Sequence, residues 1–269
     1  MRMHPQKTLP KITRFESCDS TNRLLLDAAE AGAPAGSVFV ARQQLAGRGR
    51  RGRSWLAAAD HSLTFSLLWA FPPDPARLQG LSLLVGLAVV QALADPRLGQ
   101  RVAAIQCGLK WPNDLLLRRG AGCYAKAGGI LIESTLRPKS DAGRELVVVI
   151  GIGLNCMVDA MLDAAVTDQT IGALSELFID PVTPEALLPC VLDALFERLP
   201  TFAREGFAPF AADWNTHDVW QNQPIQITED GVVRTTGICH GVGLDGALRV
   251  ETAQGSEHMI TGDVSLRRI

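Results

Sequence analysis

The run ELVVVIGIGLN, residues 145–155, restricts the fold more than any other stretch of this 269-residue chain. Between Glu145 and Asn155 it is apolar without alternation, as a strand is when both of its faces are covered. Such a strand demands a sheet with a layer on each side, and the rest of the sequence supplies candidates. HSLTFSLLW alternates, with Leu63, Phe65, Leu67 and Trp69 on one face, which is strand period. ARLQGLSLLVGLAVVQALA is apolar nearly all round and reads as a buried helix, with Asp74 as N-cap and Pro75 in its first position. SVFVARQQ, IQCGLKW and GGILIES read as further strands. TNRLLLDAAEAG reads as a helix capped by Asp19 or Ser20 and stopped at Gly32. Thr183 and Pro184 start another helix, which Pro189 is expected to kink or break. Strands and helices do not alternate regularly, so the class is α+β with a mixed sheet.

From about Val219 the character changes to short strands with turn signals: PIQIT, EDGVV, RTTGIC, LDGALRVE and HMITGDVSL. This reads as an all-β appendage, a small barrel by size. The expected division is therefore 1–218 and 219–269. With 47% hydrophobic and 20% charged residues the chain can bury a sizeable core, and its net charge of -2 argues against a polyanion binder. Six cysteines without a C-x-x-C pair and five histidines without ligand spacing give neither a disulfide frame nor a zinc site. MRMHPQKTLP lacks the apolar core of a signal peptide, and no segment reaches the roughly 20 apolar residues of a membrane span. A cytoplasmic protein with no membrane partner is the expectation.

GRGRRG, residues 47–52, fits G-x-G-x-x-G, the spacing of a dinucleotide-binding turn. That motif must follow a strand and open a helix whose N-terminus carries the pyrophosphate. Here a strand precedes it, but RSWLAAADHSLTFSLLW leads into another strand, so the second condition fails. Residues 41–59 hold five arginines (Arg42, Arg48, Arg50, Arg51, Arg53) and no acid. A loop so charged repels itself and is expected to stay mobile until an anion arrives. Guanidinium groups suit carboxylate and phosphate alike, and the glycines between them allow close backbone approach. Composition alone would also fit a solvated surface loop, which has no need for Trp55.

Three further constellations carry polar groups to strand ends. In KWPNDLLL (110–117), Asn113 and Asp114 supply an amide and a carboxylate, although P-N-D by itself is also an ordinary turn. In AKAGGILIES, Lys126 precedes two glycines and an apolar strand. In VVVIGIGLNC, Gly151 and Gly153 permit close backbone approach and Asn155 adds an amide.

Taken in order, DSTN (19–22), QLAGRGRRGRSW (44–55), KWPNDLLL (110–117), KAGGILIE (126–133), IGIGLN (150–155) and GDVSLR near the C-terminus resemble the motifs of the bacterial biotin–protein ligases, over essentially the whole chain. The resemblance implies a catalytic domain of the biotin/lipoate ligase type, class II synthetase-like, followed by a small SH3-like β-barrel. It implies that ATP and Mg2+ serve to convert biotin to biotinyl-5′-AMP, whose biotinyl group passes to a lysine of a carboxylase's biotin carrier domain. Residue roles come with it. Ser20, Thr21 and Asn22 match the segment that holds the ureido head, completed by Gln44 and the backbone near Arg48. Arg48, Gly49, Arg50 and Arg51 match the loop that folds over biotin and its adenylate, and Trp55 an aromatic near the adenine. Lys126 matches the lysine on the biotin carboxylate and the α-phosphate. Lys110, Asn113 and Asp114 fall on the nucleotide side, Asp114 as a magnesium ligand. Gly128 and Gly129 join the biotin-binding set, Gly151, Gly153 and Asn155 line the pocket floor, and Arg267 reaches back toward the nucleotide. Lys126, Arg48 and Arg50 are the residues implied to carry catalysis.

The pattern departs from the family's in three places. The connection RRGAGCY before Lys126 is long. The segment MVDAMLDAAVTDQT, expected to cover the adenylate, has no aromatic, so Met157, Met161, Leu162 or Val166 has to serve. No helix-turn-helix precedes the motifs, which speaks against a DNA partner. The alternatives are a lipoate or octanoate ligase or transferase on the same fold, and a non-enzymatic biotin sensor. Relatives can pair through the catalytic sheet, so a homodimer stays open.

Overall fold

In the computed structural model the described residues are 10–120, 122–138, 143–157, 170–229 and 232–260, with the backbone of 264–268. The elements run β1 (Lys11–Cys18), α1 (Thr21–Glu30), β2 (Ser37–Gln44), β3 (Ser62–Phe71), α2 (Leu81–Ala92), β4 (Gln106–Lys110), β5 (Asp114–Gly120), β6 (Cys123–Pro138), β7 (Arg144–Asn155), α3 (Pro184–Glu205) and α4 (Ala211–His217). The seven strands form one sheet in the order β1-β2-β3-β7-β6-β5-β4. β1 and β2 pair parallel, joined through α1, and the remaining neighbours are antiparallel. The sheet is therefore mixed, as the irregular element order implies. β1 and β5 are strands that the sequence reading does not contain.

β7 lies at the centre of this sheet, between β3 and β6, and both its faces are covered. One face carries Val148, Ile150 and Ile152 into the main core with Phe65, Leu67 and the residues of α2 and α3. The other carries Val147 and Val149 against Leu25 and Ala29 of α1 and Leu68 of β3. Gly151 and Gly153 share that second face by the two-residue period of the strand. There their lack of side chains lets Asn22 and Trp55 close directly onto the sheet.

The apolar stretch after Asp74 is two elements rather than one helix. A 3-10 turn, Pro75–Leu78, is capped by the Asp74 carboxylate, which accepts the Ala76 N–H at 3.1 Å. Gly80 then turns into the left-handed region, φ 79°, before α2 begins. A Cβ there would also come within 2.6 Å of Phe207. By length and composition Pro75–Ala92 could cross a membrane, contrary to the reading that no segment has that character, but 61% of it is buried inside the protein. α3 is continuous over 22 residues despite Pro189 and Pro200. Both prolines are exposed, so their rings lie on the helix face turned away from the core. Meanwhile Leu187, Val191, Leu195 and Phe202 hold the helix against the core.

The later residues form a second, five-stranded antiparallel sheet of β8 (Pro224–Glu229), β9 (Val232–Val242), β10 (Leu248–Thr252), β11 (Gly255–Met259) and β12 (Val264–Arg268), in the order β11-β10-β9-β8-β12. Asp218 sits where the chain passes from one sheet to the other. It bridges Leu109 of β4, its Oδ1 accepts the Trp220 N–H at 3.0 Å, and Cys239 of β9 donates its thiol to Oδ2 at 3.5 Å. Burial pushes this carboxyl up to about 6. The folded protein thus binds the proton more tightly than the unfolded chain, which favours folding at low pH. The contribution turns unfavourable as the pH rises from the ordinary carboxylate range through 6. Asp218→Asn keeps the acceptor and removes the charge. It is expected to stabilise the chain by on the order of 1–3 kcal/mol at neutral pH and to match the parent near pH 4. Urea unfolding at the two pH values checks this, and an equal midpoint shift at both would contradict it.

Candidate active site

The polar site lies on the α1 face of the central strands, where the strand registers set two rows. Ser66, Gly151 and Leu131 form one row across β3, β7 and β6, and Thr64, Gly153 and Gly129 form the next. The glycines decide what enters. A Cβ on Gly151 would come within 2.1 Å of Asn22 Oδ1, and one on Gly153 within 2.4 Å of the Trp55 ring. The Asn22 amide and the Trp55 indole thus occupy neighbouring hollows in one sheet surface.

The first hollow is ringed mainly by uncharged donors and acceptors, with the Glu133 carboxylate at its edge. Thr21 donates its backbone N–H to Gln44 Oε1 at 2.8 Å, and its hydroxyl lies 3.2 Å from the same atom. Ser66 Oγ is 2.8 Å from Thr21 Oγ1 and 2.5 Å from Asn22 Oδ1. Asn22 Nδ2 donates to Glu133 Oε2 at 2.9 Å. Ser20, Thr21, Asn22 and Ser66 are all buried, with α1 starting over the sheet at this point. Ser20 stands at the N-cap position of α1 without a side-chain cap bond, although its carbonyl accepts the Leu24 N–H at 3.0 Å.

The second hollow is charged. Lys126 Nζ lies 2.9 Å from Asp114 Oδ1 and 5.9 Å from the centre of the Trp55 ring. Lys110 Nζ lies 3.5 Å from Asp114 Oδ2. Burial drives the Asp114 carboxyl upward, but the two lysines outweigh it and hold it below the usual carboxylate range. Asn113 fixes the turn between β4 and β5 by donating its amide to the Ile130 carbonyl at 3.0 Å, while Arg50 Nη1 donates to Asn113 Oδ1 at 3.2 Å. Trp55 Nε1 and Asn155 Oδ1 are buried without a hydrogen-bond partner among the described residues. Buried polar atoms of that kind are ordinarily satisfied by water or a ligand.

The arginine loop arches over both hollows. The Trp55 backbone N–H donates to the Gly47 carbonyl at 2.9 Å, and the Gly49 backbone N–H donates to the Arg53 carbonyl at 2.7 Å. Between them lies a single 3-10 turn, Arg50–Gly52, with Arg51 at φ 59°. No helix follows, so a dinucleotide turn is excluded. The expectation of a self-repelling loop needs correction, because acids outside residues 41–59 compensate it. Arg48 pairs with Glu133 at 2.6 Å, and Arg42 with Glu16 at 2.5 Å and Asp60 at 2.6 Å.

Residues 14–155 match the biotin/lipoate A/B protein ligase family. The chain belongs to this family. Among relatives of this ligase family, it is 32% identical to the bifunctional ligase/repressor BirA of Escherichia coli K12, over 93% of this chain and 72% of that protein. It is 33% identical to a biotin–[acetyl-CoA-carboxylase] ligase of Paracoccus denitrificans, over 91% of this chain and 96% of that one. In structure it is similar to the biotin protein ligase from Aquifex aeolicus in complex with biotin and ATP. That likeness has a TM-score of 0.74 at 26% identity, and covers 96% of this chain and 99% of that one.

In this biotin/lipoate ligase chain, most residues singled out in the sequence converge on the two hollows. Gly128 is an exception, since a Cβ on it would meet Leu154 and Leu115 rather than the pocket, whereas Gly129 faces Trp55, Lys126 and Asp114. Gly49 and the exposed Arg51 belong to the loop itself. Met157 packs at the edge of the core, while Met161, Leu162 and Val166 lie outside the described residues. Arg267 stands in β12 opposite Gln226, and its side chain also lies outside what is described. Two participants escaped the sequence reading. Ser66 is a polar residue in an alternating strand, and Glu133 closes the KAGGILIE motif without an assigned role.

Proposed function

We propose that the chain activates biotin with ATP and transfers it to a carrier lysine, as a biotin–protein ligase. The observation that carries this reading is the pair of adjoining hollows. One rich in hydrogen-bonding side chains suits a ureido ring, and a cationic one roofed by an indole suits an acyl-adenylate. Gln44, Thr21, Asn22, Ser20 and the backbone at Arg48 and Gly49 would hold the ring. The carboxylate oxygen of biotin would then attack the α-phosphate and expel pyrophosphate, giving biotinyl-5′-AMP.

Two anions meet in that step, so preorganised positive charge lowers the barrier. Lys126 and Arg50 are the best-placed groups, with Lys110 behind them. Arg48 is already neutralised by Glu133 and contributes mainly by position. Mg2+ would supply further charge on the phosphates. An ion carried in by ATP would find Asp114 as its protein ligand, beside Lys110 and Lys126. Trp55, Asn155 and Asn113 would contact the nucleotide, with Arg51 and Arg267 at its edge. The carrier lysine then attacks the acyl carbon, loses its proton and releases AMP. Residues 1–218 would form the catalytic unit, and 219–269 an SH3-like barrel packed against it.

The deciding experiment is biotin-dependent ATP–pyrophosphate exchange, followed by transfer to a carboxylase carrier domain, with lipoate and octanoate as competing acids. Exchange driven by lipoate or octanoate in preference to biotin would defeat the proposal. The loop should also act as a lid that keeps water from the adenylate. Tryptic cleavage after Arg50 is expected to slow by roughly tenfold once biotin and ATP are present. Equal cutting in both states would remove the lid role.

A further inference from the structure

We infer that Glu133 is a positioning residue that ties the pocket at the start of α1 to the root of the arginine loop, an inference that rests on the ligase reading above. Its carboxylate is divided between two partners. Oε2 accepts from Asn22 Nδ2 at 2.9 Å, and Oε1 accepts from Arg48 Nη2 at 2.6 Å. Asn22 is held from its other side by Ser66, which also touches Thr21, and Thr21 is bonded to Gln44. These hydrogen bonds link Gln44, Thr21, Ser66, Asn22, Glu133 and Arg48 in series, and the backbone from residue 44 to 48 completes the ring. Five of them stand on β2, α1, β3 and β6, and Arg48 alone belongs to the loop.

The ring begins and ends at the loop. Gln44 is the last residue of β2, where the loop leaves the sheet, and Arg48 is four residues further on. A ligand that fixes Gln44 and Asn22 also fixes the carboxylate that grips Arg48. Pocket occupancy is thus transmitted to the loop through side chains rather than along the backbone. The chemistry requires a carboxylate at position 133. An ionised acid accepts at both oxygens, whereas an amide of the same shape offers one acceptor and one donor. The donor would face either the Asn22 amide or the Arg48 guanidinium, each of which is itself a donor there.

Glu133→Gln in the full chain tests this. The expected result is a biotin KM raised on the order of tenfold in pyrophosphate exchange, with the ATP KM and kcat within about threefold of the parent. Saturating biotin should also no longer slow tryptic cleavage of residues 48–53. If Glu133→Gln proves insoluble, Glu133→Asp is held to the same selective rise. An unchanged biotin KM overturns the inference. So does a parallel rise in both KM values with a lowered urea midpoint, the sign of a merely structural role. A parent chain without biotin-dependent exchange sinks the ligase reading and this inference with it. Exchange in the parent with an unaltered variant sinks this inference alone.

Discussion

Lys126→Ala is expected to lower biotin-dependent pyrophosphate exchange by about 10²–10³-fold, the loss found when one preorganised charge at a reacting centre is removed. The geometry makes this lysine hard to replace. Its ammonium is packed beside the Trp55 ring and 2.9 Å from Asp114, with its side chain only 17% exposed. The partner that remains, Lys110, is at 3.5 Å. Removing Lys126 therefore also leaves a buried carboxylate underpaired, and part of any loss could come from a weakened fold. Urea unfolding of the single variant separates the two effects, since exchange should stay low under conditions where that variant is fully folded. Near-normal exchange in the single variant would take Lys126 off the list of catalytic residues.

Gly153→Ala is expected to raise the ATP KM by about 5- to 150-fold, the range set by overpacking a filled site at 1–3 kcal/mol. The residue lies inside β7, paired with Thr64 and Gly129, so the strand itself tolerates alanine. What the methyl displaces is the Trp55 indole, 2.4 Å from the new carbon. Gly151→Ala, two residues earlier on the same face, meets Asn22 instead and should raise the biotin KM. Steady-state exchange with each substrate varied in turn checks the pair. If both variants weaken the same substrate, the division of the site between two hollows is wrong.

What the sequence disclosed follows from what local patterns report. The apolar run of β7 announced burial on both faces, and the alternation of Leu63, Phe65 and Leu67 announced a core face. Alternation also implied that Ser62, Thr64 and Ser66 face water, yet all three are buried, because α1 and the loop roof the site face. The hydrogen-bonding role of Ser66 was hidden for that reason. β1 escaped notice as an edge strand whose residues are mostly exposed or half-exposed. The break at Gly80 depends on one backbone torsion inside an otherwise apolar run. The compensation of the loop was invisible to a count over residues 41–59, since its acids Glu16, Asp60 and Glu133 come from other segments. The long motifs pointed to the family correctly because DSTN, QLAGRGRRGRSW, KWPNDLLL and IGIGLN each carry polar groups at or beside an end of a strand of the seven-stranded sheet, and KAGGILIE crosses that sheet beside them.

The apolar character of α2 has a consequence for biosynthesis. Its cover comes partly from β6 and α3, which follow it in the chain and end at Pro138 and Glu205. At about 5–20 residues per second, the ribosome finishes α3 roughly 6–23 seconds after α2. Throughout that interval the nascent chain carries a greasy segment that only chaperones or early strands can shield. Overexpression is therefore expected to meet its first difficulty during synthesis, before the finished fold exists.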